Sequence, residues 1–209
     1  HEMLRDMPAG YERRADVLFR LAEALWEVGH ADYQANRADY NACVDDYMSC
    51  LRDETCVEPL PDYSAALDQF REVLRDHPSY ERIDEVIFRL GEGLIQAEQS
   101  ADGVQFLTRL TNNYPNSRFI PDARFLMGEH YFDNDLLIAA RQNYDAVLEY
   151  PTSDLYNFAI YKTAWVDMNE EGWSDAVQLF QAVVSNMNAE AAAGRTPKFD
   201  LRDQSLNDM

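Results

Sequence analysis

Hydrophobic residues in this chain recur at spacings of three and four residues over long stretches, the spacing of one face of an α-helix. Three prolines, Pro78, Pro115 and Pro151, each lie between two such amphipathic stretches. Only eight glycines and eight prolines occur among 209 residues, so long segments contain no helix-breaking residue. The pattern therefore predicts an all-α fold.

The three prolines mark an internal repeat. They are separated by 37 and 36 residues, and each ends a similar phrase, REVLRDHP, LTRLTNNYP or YDAVLEYP. A period of this size indicates an array of helical hairpins. In each predicted first helix a small residue follows a bulky one, as at Met127-Gly128, which allows a neighbouring helix to approach closely.

The predicted second helices share three positions at spacings of four and three, so these positions lie on one helical face. We expect this face to form the core. The matching residues are Ala66, Gly103, Ala140 and Ala176; then Phe70, Leu107, Tyr144 and Phe180; then Val73, Leu110, Val147 and Val183.

This repeat resembles the tetratricopeptide family, in particular its bacterial envelope branch, over most of the chain. The resemblance implies a right-handed superhelical solenoid of antiparallel helix hairpins. The predicted segments are a lead-in at 1–14, an elongated first hairpin at 15–78, further repeats at 79–115, 116–151 and 152–187, and a tail at 188–209 that reads as the start of another repeat.

The first hairpin is elongated because about thirty residues, 30–61, separate its two helices. Tyr33, Tyr40 and Cys43 fall at helical spacing, so we expect the first helix to continue past Gly29 before the chain turns and returns. A break at Gly29 is the alternative. An opening such as ADVLFRLAEALWE before an elongated hairpin resembles tetratricopeptide proteins of myxobacterial gliding motility and outer-membrane assembly, which implies a periplasmic or envelope-associated protein.

All three cysteines, Cys43, Cys50 and Cys56, lie within this insertion. In an oxidising compartment two of them would form a disulfide, and we expect Cys50 to pair with Cys56 across a turn. Three unpaired thiols are the alternative. A zinc site requires four ligands, and no histidine lies between these cysteines, so we expect no metal.

The net charge of −20 narrows the class of partner. A surface this negative repels phosphate backbones and anionic lipid headgroups, so we expect neither nucleic-acid binding nor direct membrane insertion. It attracts basic segments of a protein partner, although solubility alone is an alternative explanation. No run of eighteen apolar residues is present that would span a membrane.

No sequence motif for catalysis stands out. The chain has no phosphate-binding loop, dinucleotide fingerprint or nucleophile elbow. Glu129 and His130 are adjacent, but neighbouring residues on a helix point about 100° apart. We therefore expect a protein that is not an enzyme and uses no cofactor.

The candidate binding surface follows from the resemblance, since first helices line the concave groove of tetratricopeptide arrays. Large apolar residues flanking a line of carboxylates suit an amphipathic or extended peptide that carries Lys or Arg. Packing of these aromatic residues between helices is the alternative. The predicted groove consists of one column with Phe19, Phe88, Phe125 and Tyr161, a second column with Trp26, Ile95, Phe132 and Met168, and an intervening line of Glu23, Glu92, Glu129 and Trp165.

The sequence thus predicts a scaffold that binds a protein partner within a bacterial envelope complex. A structural spacer or self-assembling module with an empty groove is the alternative, and a regulatory domain attached to an enzyme is a third. The partner and the oligomeric state do not follow from the sequence.

Overall fold

Helices are the regular secondary structure of every part of the chain that the computed structural model describes, residues 13–48, 55–195 and 199–209. No strand occurs in these ranges, which confirms the predicted all-α class. The helices are α1 Arg14–Met48, α2 Ser64–Asp76, α3 Ile83–Gln96, α4 Ser100–Asn113, α5 Ile120–Asp133, α6 Leu137–Val147, α7 Tyr156–Asn169, α8 Trp173–Ala192 and α9 Arg202–Asn207.

The core of these hairpins is built from the positions that the repeat shares. Every matching residue of the predicted second helices is buried, from Ala66 and Phe70 in α2 to Phe180 and Val183 in α8. Burying a large apolar side chain contributes roughly 1.5–3 kcal/mol. The repeating face therefore forms part of the core, as the spacing predicted.

The intra-repeat turns also repeat. Glu98, Asp135 and Glu171 each adopt a left-handed backbone, with φ of 59°, 57° and 62°. They lie in the α3–α4, α5–α6 and α7–α8 turns and follow the 37- and 36-residue spacing of the prolines. A left-handed non-glycine residue is uncommon, so its recurrence shows that the three turns are built alike.

The chain divides into two compact units at a boundary within α4, one up to Phe106 and one from Leu107. In the first unit α1 packs against α2 and α2 against α3. Arg14 of α1 forms an ion pair with Glu72 of α2 at 2.7 Å. The hydroxyl of Tyr80 donates to Asp16 at 2.8 Å, which fixes the segment before α3 to the start of α1.

The elongated hairpin of the first unit is a single long helix followed by an extended return segment. Helix α1 passes through Gly29 without a break, which confirms that the first helix continues. A Cβ on Gly29 would lie 2.5 Å from the carbonyl oxygen of Asp62. Gly29 is thus required by the close approach of residues 55–63, which we call the return segment and which has no regular secondary structure.

In the second unit the successive helices α5 to α9 pack each on the next. One cluster joins Phe125, Tyr144 and Val147 around Ala159, and another joins Ile160 to Val183. The tail adds Leu201 to the second cluster, and its helix α9 packs on α8. The tail residues 199–209 are therefore part of the fold of this unit.

Candidate partner-binding site

The first predicted column divides between core and surface. Phe19, Phe88 and Phe125 are at most 7% exposed, so they do not line an open groove. Phe19, for example, meets Phe70 edge-on at 5.5 Å between ring centroids. These three residues were placed in the groove by transferring a repeat register, but interhelical packing buries them. The fourth member, Tyr161, is half-buried, and its hydroxyl donates to Asp208 of the tail at 2.7 Å.

The second predicted column lies at the boundary between core and solvent. All four of its members are half-buried. Trp26 stacks on Tyr63 at 4.1 Å, and Phe132 lies 5.3 Å from the Nζ atom of Lys162. Aromatic rings in this position keep part of their area available to a partner. The half-buried members are Trp26, Ile95, Phe132 and Met168.

Each carboxylate of the predicted line already has a cation from its own unit. Glu92 pairs with Arg89 at 2.8 Å, and Glu129 pairs with Lys162 at 2.7 Å. Glu23 lies 3.5 Å from Arg82. These carboxylates are therefore not a bare acidic strip, and a basic partner would have to share or exchange the ion pairs. The last member of the line, Trp165, is half-buried against Phe180 at 6.2 Å.

In the second unit the helices α5 and α7 bring several predicted residues together. Lys162 joins them, because its ammonium group pairs with Glu129 and lies over the ring of Phe132. One turn further along α7, Trp165 packs against Tyr161 at 6.5 Å. We call the set Glu129, Phe132, Lys162, Trp165 and Met168 the α5–α7 face.

Tyr144 supports the α5–α7 face from below. Its ring is fully buried, and its hydroxyl donates to Glu129. Burial and the hydrogen bond to this carboxylate raise the pKa of Tyr144 well above its usual value. The phenol therefore stays protonated at neutral pH and continues to orient Glu129 toward Lys162.

In the first unit Trp26 and Glu92 line a cavity of about 690 Å³ between α1, the return segment and α3. Tyr33 of α1, Glu58 and Leu60 of the return segment complete much of its wall. We call this cavity the α1–α3 pocket. It joins aromatic, apolar and acidic groups, the combination expected of the groove, and two members of the predicted groove, Trp26 and Glu92, lie in its wall.

The return segment is the part of this pocket that the sequence interpretation missed. The predicted groove includes no residue of 30–61, yet Glu58, Leu60 and Pro61 form one wall of the pocket. Leu60 is 56% exposed, so its side chain is open to contact beside the cavity. The signal available in the sequence was the pair of prolines around Leu60, since proline favours an extended chain.

The disulfide differs from the predicted pairing. Cys43 of α1 bonds to Cys56 of the return segment, with their Cα atoms 5.9 Å apart. The predicted pair of Cys50 and Cys56 is therefore wrong, since Cys56 has one sulfur; Cys50 itself lies outside the described residues. Helix α1 extends beyond Cys43, so the return segment runs back alongside it and brings Cys56 next to Cys43.

Two further findings concern the chemistry of the described ranges. No group of three or more His, Cys, Asp and Glu side chains there is arranged to hold a metal ion. No helix there combines the length and apolar character needed to cross a membrane. Glu129 and His130 do not act together: Glu129 faces Tyr144 and Lys162, whereas the ring of His130 contacts Tyr131.

Comparison with known proteins supports the repeat. Residues 85–117 match the family model described as tetratricopeptide repeat. One solved crystal structure of MamA is similar with 18% identity and a TM-score of 0.50, covering 68% of this chain and 82% of that one. Another structure of MamA gives 16% identity and a TM-score of 0.51, covering 90% and 87%. No curated protein matches the sequence significantly. At these identities the likeness shows the fold alone, an all-α fold of tetratricopeptide type.

Proposed function

We propose that this protein is a non-catalytic scaffold that binds a segment of a partner protein. The observation that carries the proposal is the α5–α7 face, where the half-buried ring of Phe132 lies beside the Glu129–Lys162 ion pair and the half-buried Trp165 follows one turn along α7, on the first helices of two successive hairpins. Aromatic residues that are partly exposed around a charged centre are typical of protein interfaces. The tetratricopeptide match at 85–117 supports the same class of function.

We further propose that the partner belongs to a bacterial cell-envelope complex and that the protein works in the periplasm. The Cys43–Cys56 disulfide supports this localisation, because disulfides persist in oxidising compartments and are rare in the reducing cytosol. The net charge of −20 supports a partner segment with basic residues.

Affinity capture with a matched pair of tryptophan variants tests the proposal. Trp165 belongs to the α5–α7 face, whereas Trp173 begins α8 and is 57% exposed outside it. We expect Trp165→Ala to abolish capture of a partner from extracts of the source cells and Trp173→Ala to retain it. Truncating an interface anchor typically costs 2 kcal/mol or more, which is roughly a 30-fold loss of affinity.

A second variant guards against misfolding, because Trp165 also packs against Phe180. Lys162→Ala removes the centre of the α5–α7 face but leaves these rings in place, and its circular dichroism should match that of the unaltered protein. If both variants capture the same protein as well as Trp173→Ala does, the face is not the binding site. If light scattering shows only self-association, the protein is a self-assembling spacer instead.

A further inference from the structure

The α1–α3 pocket has features that a merely structural hairpin does not need. Three of its lining residues, Glu58, Glu92 and Glu98, are carboxylates, and no Lys or Arg is among the described residues that line it. Glu58 and Glu92 pair with Arg37 and Arg89 from outside the cavity. Glu98, an exposed residue at the rim, has no ion pair with any described residue. His30 also lines the cavity, and its Nδ1 lies 3.4 Å from the hydroxyl of Tyr63. The carboxylates of the lining therefore outnumber its cationic groups.

Tyr63 also lines this pocket and is buried behind Trp26. Burial, and after it the charges of Glu92 and Glu27, raises the pKa of its hydroxyl, so a negative charge is disfavoured here. The carboxylates of the lining instead favour a cation that enters the cavity.

The aromatic surfaces of the first unit already accept guanidinium groups. The Arg82 guanidinium lies 3.9 Å from the centroid of Phe19, and that of Arg89 lies 5.8 Å from the centroid of Trp26. A guanidinium is flat and weakly hydrated, so it stacks on rings with its face and donates hydrogen bonds to carboxylate oxygens from its edge. An ammonium group has no flat face with which to stack.

The return segment adds a wall suited to the backbone beside such a side chain. Pro59, Leu60 and Pro61 border the pocket, and Leu60 is exposed. The disulfide between Cys43 and Cys56 joins this segment to α1, and Arg37 forms an ion pair with Glu58. The wall is thereby held at a fixed distance from α1, which limits the conformational cost of binding.

We propose that the α1–α3 pocket receives an arginine side chain from an extended segment of the partner protein. The guanidinium stacks beside Tyr33 and Trp26 and pairs with Glu98, and apolar neighbours of the arginine pack on Leu60. This inference rests on the proposed scaffold function and assigns the first unit its own recognition element. It is independent of the α5–α7 face.

Peptide binding tests the assignment. The probe is the fluorescein-labelled peptide Gly-Pro-Leu-Pro-Arg-Pro-Leu-Pro-Gly, whose prolines keep it extended, and the matched probe carries citrulline, which has the shape of arginine without its charge. We expect fluorescence polarisation to show saturable binding of the arginine probe at concentrations of this protein below about 1 mM. The citrulline probe should bind about fivefold more weakly or worse, since a charge-assisted contact is lost.

The chain offers a matched control for the site. Glu98→Gln removes the unpaired carboxylate, whereas Glu171→Gln makes the same change at the equivalent left-handed turn of the second unit. Glu98→Gln should weaken binding about fivefold and Glu171→Gln should leave it unchanged.

Absence of saturable binding, equal binding of the citrulline probe, or equal losses in the two glutamine variants would each overturn the arginine pocket. None of these results touches the capture experiment on Trp165 and Trp173. A partner that is captured through the α5–α7 face while the arginine probe fails would leave the scaffold and remove only the pocket.

Discussion

Single residues in this protein are constrained most where two helices approach most closely. A Cβ on Gly128 of α5 would lie 2.5 Å from Cε1 of Tyr144 in α6. Tyr144 is fully buried and its hydroxyl is held by Glu129, so the ring has no space into which to retreat. The contact with Tyr144 therefore explains why the sequence pattern has a small residue at position 128.

This contact predicts the effect of a single methyl group. Gly128→Ala should lower the free energy of unfolding by about 1–3 kcal/mol, because overpacking outweighs the gain from replacing a helical glycine. Urea unfolding followed by circular dichroism measures it. Gly172→Ala is the control, since the nearest heavy atom to its Cβ would be 3.4 Å away, and it should change stability by less than about 0.5 kcal/mol. A neutral or stabilising Gly128→Ala would show that the contact is absent.

The burial of single residues also explains why part of the predicted groove lies in the core. Phe88 belongs to the first predicted column and Phe132 to the second. Phe88 is buried, whereas Phe132 is half-buried beneath Lys162. The repeat places the two residues in different columns, but which column a neighbouring helix covers is a tertiary property that a one-dimensional pattern does not contain.

Among the elements, α1 differs from the other helices because only its first part has a core. Its buried residues end at Ala22, and none of its described residues after Gly29 is buried. Isolated helices are marginal in water, so this part needs support from outside. The support comes from the return segment, through the Cys43–Cys56 disulfide and the ion pair of Arg37 with Glu58.

The elongated hairpin should therefore loosen when its disulfide is removed. A disulfide that closes a loop of about 15 residues contributes about 3 kcal/mol, so amide exchange in residues 33–48 and 55–63 should accelerate by about 100-fold in Cys43→Ser/Cys56→Ser. Exchange in α5 to α8 should be unchanged. Hydrogen–deuterium exchange with mass spectrometry measures both regions.

Cys50→Ser is the control for this experiment, because it leaves the Cys43–Cys56 bond intact. It should exchange like the unaltered protein. If Cys50→Ser has the same effect as the double variant, or if neither changes exchange, the described disulfide is not what holds the return segment.

At the scale of elements the sequence was informative about helices and poor about their partners in space. The stripe from Tyr33 to Cys43 predicted that α1 continues, and the structure confirms it. The pairing of cysteines was missed because it depends on where the chain turns back. A break at Gly29 remained an alternative in the sequence. The reason for this glycine is the carbonyl of Asp62, which packs against it but lies 33 residues away along the chain.

The whole molecule carries far more acid than its own basic side chains neutralise. It has 38 acidic and 18 basic residues, so even complete one-to-one pairing would leave a net charge of −20. Several basic residues are already held in ion pairs within their units, among them Arg14, Arg89 and Lys162. This excess favours association with a basic partner and makes the association rate depend on salt concentration.

The fold of the whole chain followed from the sequence, because its period, its buried face and its turns all recur. Its function is a proposal, because the structural likenesses show the fold alone. The residues that would distinguish one scaffold from another lie on surfaces such as the α5–α7 face and the α1–α3 pocket, whose members come from distant parts of the chain and share no periodic signal.

Site-specific photo-crosslinking in the source cells tests the central proposal, partner binding through first helices, most directly. The photoreactive amino acid benzoylphenylalanine replaces Phe132 on the α5–α7 face or Ile138, which is 72% exposed on the second helix α6. We predict a discrete adduct with one other protein from position 132 and none from position 138. No adduct at position 132, adducts only between copies of this chain, or equal adducts from both positions would contradict the proposal.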